Sequence, residues 1–141
     1  MGFQFTRKLT VEWGHCDPAG IVFNPRFFEY FDWSTAALVR EALGLGKVGL
    51  GAAYGIVGIP LVETRAVFHL PSRYGEAIEI VSTVMTIGRS SFEVEHRLFN
   101  DARLAVEGTE KRVWTIRDAE NGGRLKAQAM PDEVMRKLRG G

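Results

Sequence analysis

Asp17 stands at the head of a Pro18-Ala19-Gly20 turn, shortly before Asn24-Pro25 opens a long apolar stretch. Asn is a good N-cap because its side-chain oxygen can accept a free N–H of the first helical turn. Pro suits the first helical position, where its missing N–H costs nothing. A carboxylate therefore lies close in sequence to a helix N-terminus, where unpaired N–H groups and the positive end of the helix dipole gather. Such a pairing can polarise a carbonyl with the amides and attack it with the carboxylate. Gly20 lets the backbone approach a ligand closely. The plainer role for an Asp before Pro is turn formation, and the residues alone leave both roles open.

Other reactive side chains make weaker constellations. His15 and Cys16 are neighbours on an extended segment and point to opposite faces, so they are badly placed to act together. Cys16 reads as a small packed residue. His69 and His96 fall on strand patterns and read as structural. Three histidines and one cysteine, scattered in this way, show no metal-ligand spacing, so no metal is expected. Glu29 and Asp32, spaced i, i+3, share one side of a helix; they read as solvated or interface residues, with a second carboxylate pair as the lesser alternative. Glu63 is a similar outsider.

The elements that must position Asp17 follow from periodicity. Phe3, Phe5, Leu9, Val11 and Trp13 alternate with mostly polar residues, which predicts a first strand over 3–13, with Arg7 breaking the alternation. Residues 25–43 predict a helix ended by Gly44. Its polar residues (Arg26, Glu29, Asp32, Arg40, Glu41) fill no single broad face, so it is expected to be covered on most sides. Five glycines between Gly44 and Gly55 predict a mobile or tightly turned connection. Strands are expected over 61–70, 76–87, 91–99 and 103–117, with a tight hairpin at Gly88-Arg89-Ser90 and a turn at Asn121-Gly122-Gly123. Pro131, Asp132 and Glu133 start a short helix ending near Leu138. Short turns imply antiparallel pairing. A helix followed by a meander is an α+β arrangement with the helix against one face of a five-stranded sheet.

Bulk properties set the frame. The 141 residues make one domain, spanning 1–141, and the apolar and charged fractions, 45% and 25%, are those of a soluble globular protein. A formal net charge of +1 gives no general electrostatic case for nucleic acid or an anionic membrane surface. The N-terminus lacks the apolar core of a signal peptide, and no apolar run approaches the ~20 residues of a membrane span. One cysteine excludes an intrachain disulfide, and a cytoplasmic setting is expected.

The run His15-Cys16-Asp17-Pro18-Ala19-Gly20-Ile21-Val22-Phe23-Asn24-Pro25 resembles the hotdog-fold acyl-CoA thioesterases, and most closely the 4-hydroxybenzoyl-CoA thioesterase group. Two further segments, Tyr54-Gly55-Ile56-Val57-Gly58-Ile59-Pro60-Leu61-Val62 and Arg89-Ser90-Ser91-Phe92, resemble the same family in the same order. The resemblance implies a five-stranded antiparallel sheet wrapped around a long central helix. It implies an enzyme that hydrolyses an aromatic or short acyl-CoA, with 4-hydroxybenzoyl-CoA among the candidates. Asp17 would be the nucleophile or the general base, and the backbone N–H of Asn24 would polarise the carbonyl. Arg89, Ser90 and Ser91, otherwise hairpin solubility residues, would meet the coenzyme A phosphates. Phe23, Phe27 and Ile59 would be core or line the acyl pocket, with Gly20 beside the substrate. No cofactor is required, since coenzyme A is part of the substrate. Active sites at dimer interfaces, and a homotetramer built as a dimer of dimers, are implied as well. The alternative on the same scaffold is a non-catalytic protein that binds acyl-CoA or another small ligand.

Overall fold

Pro25 and Gly44 bracket the long helix. The computed structural model describes residues 1–141, and α1 runs over Pro25–Leu43. Gly44 takes φ 75°, a left-handed conformation that glycine adopts without a Cβ penalty, and its N–H donates to the Arg40 carbonyl at 2.8 Å. α1 follows β1 (Gln4–Thr10) and a 3₁₀ turn at Trp13–His15. After it come α2 (Lys47–Tyr54), β2 (Leu61–Phe68), β3 (Ala77–Ile87), β4 (Ser91–Asn100), β5 (Arg103–Val113), β6 (Thr115–Asp118), β7 (Arg124–Ala127) and α3 (Asp132–Leu138).

Five strands form one antiparallel sheet in the order β1-β3-β4-β5-β2, and β6 pairs with β7 separately. The period of two puts Ile78, Ile80, Ser82 and Val84 of β3 on the buried face. Phe92, Val94, His96 and Leu98 of β4 join them, as do Val106, Gly108, Glu110 and Arg112 of β5. α1 contributes Phe27, Tyr30, Phe31, Ser34, Thr35, Leu38, Val39 and Leu43 to the same interior. The apolar residues fall into two clusters, one around Leu38, Val84, Phe92 and Trp114, the other around Tyr30, Phe31, Ile80 and Leu98. Between them in every element sits a polar position: Thr35, Ser82, His96 and Glu110.

Three sequence expectations are corrected. α1 is buried along one side only, at spacings of three and four, while Trp33, Ala36 and Arg40 stay exposed. Residues 47–54 form a helix within the glycine-rich connection, ended by Gly55 at φ 69°. The strand expected over 103–117 breaks at Trp114. The Trp114 N–H donates to the Ser90 carbonyl at 2.7 Å and its side chain is buried, so β6 leaves the sheet and pairs with β7.

Gly108 is where α1 lies tightest on the sheet. A Cβ there would come within 2.5 Å of Phe31 Cε2 and 2.7 Å of Cδ2. Phe31 is itself stacked on His96, with ring centroids 4.8 Å apart, so it has little room to yield. Gly108→Ala should lower unfolding free energy by about 1–3 kcal/mol. Urea unfolding followed by circular dichroism measures this.

Candidate active site

Residues 15–23 form a miniature antiparallel hairpin that carries the Asp17 turn. The Phe23 N–H donates to the His15 carbonyl, and the Asp17 N–H to the Ile21 carbonyl, both at 2.9 Å. Cys16 bridges Val22 between them. Gly20 takes φ 79°, so the turn needs glycine there. The second arm is pinned to the turn before β3: the Val22 N–H donates to the Ser72 carbonyl at 2.9 Å, and Ile21 bridges Arg73. Asp17 is half-buried. Its Oδ1 accepts the Ala19 N–H at 2.8 Å, a local turn contact, and its carboxylate makes no ion pair.

The helix start differs from the expected cap. Asn24 already has helical dihedrals (φ −44°, ψ −45°) and its side chain caps nothing. The Phe23 carbonyl accepts from the Arg26 N–H at 2.8 Å, and the Asn24 carbonyl from the Phe27 N–H at 3.1 Å. The chain therefore enters the helical conformation one residue early, and an N-cap side-chain bond requires an extended backbone at that residue. The Asn24 N–H donates to no acceptor within the chain, and Pro25 has none to give. This backbone donor lies at the positive end of α1.

A cavity of about 380 Å³ opens farther along the helix. One wall is the α1 stripe Asp32, Thr35, Ala36 and Val39, and the facing wall runs from Ile56 to Pro60. Lys47 and Leu50 of α2, Arg112, Thr115 and Leu125 complete it. Asn24, Phe28 and Asp32 follow one another at intervals of four, so Asn24 stands at the N-terminal end of the helix side that the cavity borders at Asp32. At 1.5 Å per residue the axial rise from Asn24 to Asp32 is about 12 Å.

A buried polar chain supports the cavity wall. Arg112 donates from Nε to Glu110 Oε1 at 3.1 Å, from Nη2 to Asp32 Oδ1 at 2.6 Å, and from Nη1 to the Ile59 carbonyl at 3.2 Å. Glu110 also accepts from the Thr35 hydroxyl, and His96 lies 3.5 Å from it. Ser82 Oγ is 2.7 Å from the other ring nitrogen of His96. Burial is the largest influence on Glu110 and pushes its carboxyl up. Hydrogen bonds from His96 and Arg112, with the nearby charge and the Thr35 hydroxyl, more than reverse it, and the group titrates at about 2 instead of 4.5. Burial also opposes the charge on Arg112, but Glu110 and Asp32 outweigh it and raise its pKa. A depressed carboxyl stabilises the fold above its unfolded value and loses that contribution as pH falls to its folded value. The shift of 4.5 to about 2 corresponds to roughly 3 kcal/mol. Unfolding free energy should therefore drop by about that much between pH 5 and pH 2. Urea titrations across this range should show a flatter profile for Glu110→Gln.

The structure gathers Asp17, Gly20, Phe23 and Asn24 at the hairpin, with Phe23 exposed. Ile59 lines the cavity, whereas Asp17 lines none of the three principal cavities. Phe27 is buried in the core against the rings of Tyr30 and Phe68. Arg89 and Ser90 lie in the β3–β4 turn and Ser91 opens β4; the Arg89 and Ser90 carbonyls accept from the Met130 and Trp114 N–H groups. Glu29 and Asp32 do not act as a pair, since Glu29 binds Arg26 at 2.6 Å and Asp32 binds Arg112. Sequence reasoning passed over Glu110 and Arg112. The available signal was two charges in the inward phase of a strand whose earlier inward positions are Val106 and Gly108.

A five-stranded antiparallel sheet packed against one long helix is the hotdog layout. The thioesterase-like superfamily matches residues 11–138, and the chain belongs to it, within the 4-hydroxybenzoyl-CoA thioesterase family. It is 31% identical to 4-hydroxybenzoyl-CoA thioesterase of Pseudomonas sp. (strain CBS-3), over 96% of this chain and 97% of that one. It is 28% identical to 1,4-dihydroxy-2-naphthoyl-CoA hydrolase of Synechococcus sp. (strain WH7803), over 93% of this chain and 87% of that one. The fold superposes with a TM-score of 0.88 on a crystal structure of an aspartate-to-asparagine variant of 4-hydroxybenzoyl-CoA thioesterase complexed with 4-hydroxybenzoyl-CoA. That pair is 25% identical and covers 97% of this chain and 99% of the other.

Proposed function

We propose that this thioesterase hydrolyses a hydroxylated aryl-CoA, with Asp17 as the reacting carboxylate and the Asn24 N–H as the donor to the thioester oxygen. The observation that carries the reading is one hairpin holding a carboxylate free of ion pairs on one arm and leading from the other into an acceptor-free helix N–H. In the nucleophilic route an Asp17 oxygen bonds to the acyl carbon, the C–S bond breaks, and coenzyme A leaves as a thiol after gaining a proton from solvent. Water then opens the anhydride, yielding the acid and the free carboxylate. In the base route Asp17 takes a proton from water as that water attacks. A thioester is already activated, so neither route needs a metal or organic cofactor.

The cavity supports the choice of acyl group. Its walls mix apolar side chains with the Asp32 carboxylate, whose Oδ1 is held by Arg112 while Oδ2 stays open to accept from a ring hydroxyl. Both curated relatives act on hydroxylated aryl-CoA thioesters by name. Arg89, Ser90 and Ser91 offer a cation and two hydroxyls for the coenzyme phosphates. The exposed apolar residues Leu61, Val62, Val67 and Phe68 on edge strand β2 fit pairing with a second copy. That pairing fits a dimer, and a dimer of dimers, in which the Asp17 turn of one copy meets the cavity of another. A cytoplasmic setting fits the coenzyme A substrate and the free thiol of Cys16.

The test is coenzyme A release from a panel of benzoyl, hydroxybenzoyl, hydroxynaphthoyl and short alkanoyl thioesters. Hydroxyaryl substrates should give the highest kcat/KM. Saturable binding without turnover across the panel would establish the non-catalytic alternative instead. Rapid-quench trapping of an acyl-enzyme separates the two routes, because only the nucleophilic route bonds the acyl group to Asp17; oxygen-18 from water enters Asp17 in that route only where water attacks the Asp17 side of the anhydride. Light scattering should report a dimer or tetramer, and a monomer active at full rate would overturn the shared site. Arg89→Gln should raise KM a few-fold with kcat unchanged, as the loss of one exposed charge contact predicts.

A further inference from the structure

We propose that His15 and Tyr30 are a positioning pair that holds the Asp17-bearing arm of the hairpin against α1; this rests on Asp17 being the reacting carboxylate. The Tyr30 hydroxyl lies 2.9 Å from His15 Nδ1, and the two rings meet edge to face with centroids 5.2 Å apart. This is the one hydrogen bond between residues 12–17 and α1. The second arm is tied down by main-chain bonds to residues 72–74, but the first arm has no main-chain bond to the helix. Without the side-chain bond, no hydrogen bond ties the arm carrying Asp17 to α1, and only packing of His15 and Cys16 against the helix remains.

The pair is built to stay in one arrangement. Tyr30 is fully buried on the second turn of α1, and its ring also meets Phe27 edge to face at 5.8 Å. Burial first, then the neighbouring Cys16 and Glu12, pushes its hydroxyl up to about 12, so it remains a neutral donor. With the Tyr30 O–H donating, His15 Nδ1 accepts and Nε2 carries the hydrogen. Nε2 then faces the exposed Glu12 Oε2 at 3.5 Å. His15 also supplies, through its carbonyl, the acceptor for the Phe23 N–H. One residue thus locates both arms: its side chain ties the Asp17 arm to α1, and its backbone pairs with the residue preceding Asn24. Neither side chain need touch substrate.

Tyr30→Phe keeps the ring packing and removes only the O–H. Small displacements of a reacting group cost up to about 100-fold in rate, so kcat should fall roughly 10- to 100-fold, with KM within twofold of wild type. His15→Ala should behave in the same way and serves as the second variant if Tyr30→Phe does not fold. His15→Asn, whose side-chain oxygen can stand where Nδ1 does, should recover most of kcat. His15→Gln, which places its polar group nearer the Nε2 position, should recover less. Far-UV circular dichroism of each variant normalises its rate to folded protein. A kcat within twofold of wild type for both Tyr30→Phe and His15→Ala, with Asp17→Asn inactive, would overturn the positioning role while leaving the thioesterase reading intact. An active Asp17→Asn enzyme would instead remove the reading on which the role rests.

Discussion

Asp17→Asn should reduce thioester hydrolysis by about 100- to 10,000-fold, the range expected when a reacting base or nucleophile is lost. The substitution is nearly isosteric. The Asn side-chain oxygen can still accept the Ala19 N–H, so the turn that Asp17 Oδ1 supports at 2.8 Å survives. Gly20 keeps its left-handed conformation, and the bonds between the hairpin arms involve main chain only. What disappears is the charge. A neutral amide neither attacks a carbonyl carbon nor takes a proton from water at neutral pH. Coenzyme A release measured against the best substrate of the panel should therefore collapse in kcat, with substrate binding retained. Equal rates for the two proteins would remove Asp17 from the reaction.

Arg112→Met should be the most destabilising change in the cavity wall, at about 3–5 kcal/mol. Arg112 is the cation between two carboxylates, Glu110 and Asp32, and it also donates to the Ile59 carbonyl. Removing it leaves Glu110 charged and almost fully buried beside His96. The cost comes from the stranded charge, so Glu110→Met on top of Arg112→Met should restore part of the loss. In a chain of this size the single variant should melt roughly 10–15 °C lower. Differential scanning calorimetry of the two single variants and the double gives the coupling directly. Loss of the strut between β5, α1 and the 56–60 segment should also blunt selection among aryl thioesters, read as convergence of kcat/KM across the panel. A single variant melting within 2 °C of wild type would show that the network contributes little to the fold.

Local chemistry in the sequence accounts for the elements. Asn24-Pro25 and Gly44 delimit α1 because proline pre-sets the first turn and glycine accepts a left-handed exit. Period-two alternation and short turns predict β3, β4 and β5 as an antiparallel meander, and their register keeps it. The Asp17 turn is legible because Asp, Pro and Gly carry their conformational preferences with them. The resemblance adds the chemistry assigned to that turn, which turn propensity alone does not specify.

Tertiary structure decided what depends on partners distant in sequence. Whether Asn24 caps α1 or offers a free N–H is settled by how the hairpin delivers the chain to the helix. The alternation of β5 puts Glu110 and Arg112 in its inward phase, but a buried charge is tolerable only where Thr35, His96 and Asp32 arrive to meet it. The helix at Lys47–Tyr54 forms against glycine's intrinsic reluctance, with Leu50 buried against the core. The cavity joins α1 to residues 56–60 and 112, and the sheet places β2 beside β5 although β3 follows it in sequence. Residue type and spacing determine which conformations a segment prefers. Hydrogen-bond partners, buried charge and the shape of a cavity are properties of segments brought together, so they exist only once the chain has folded.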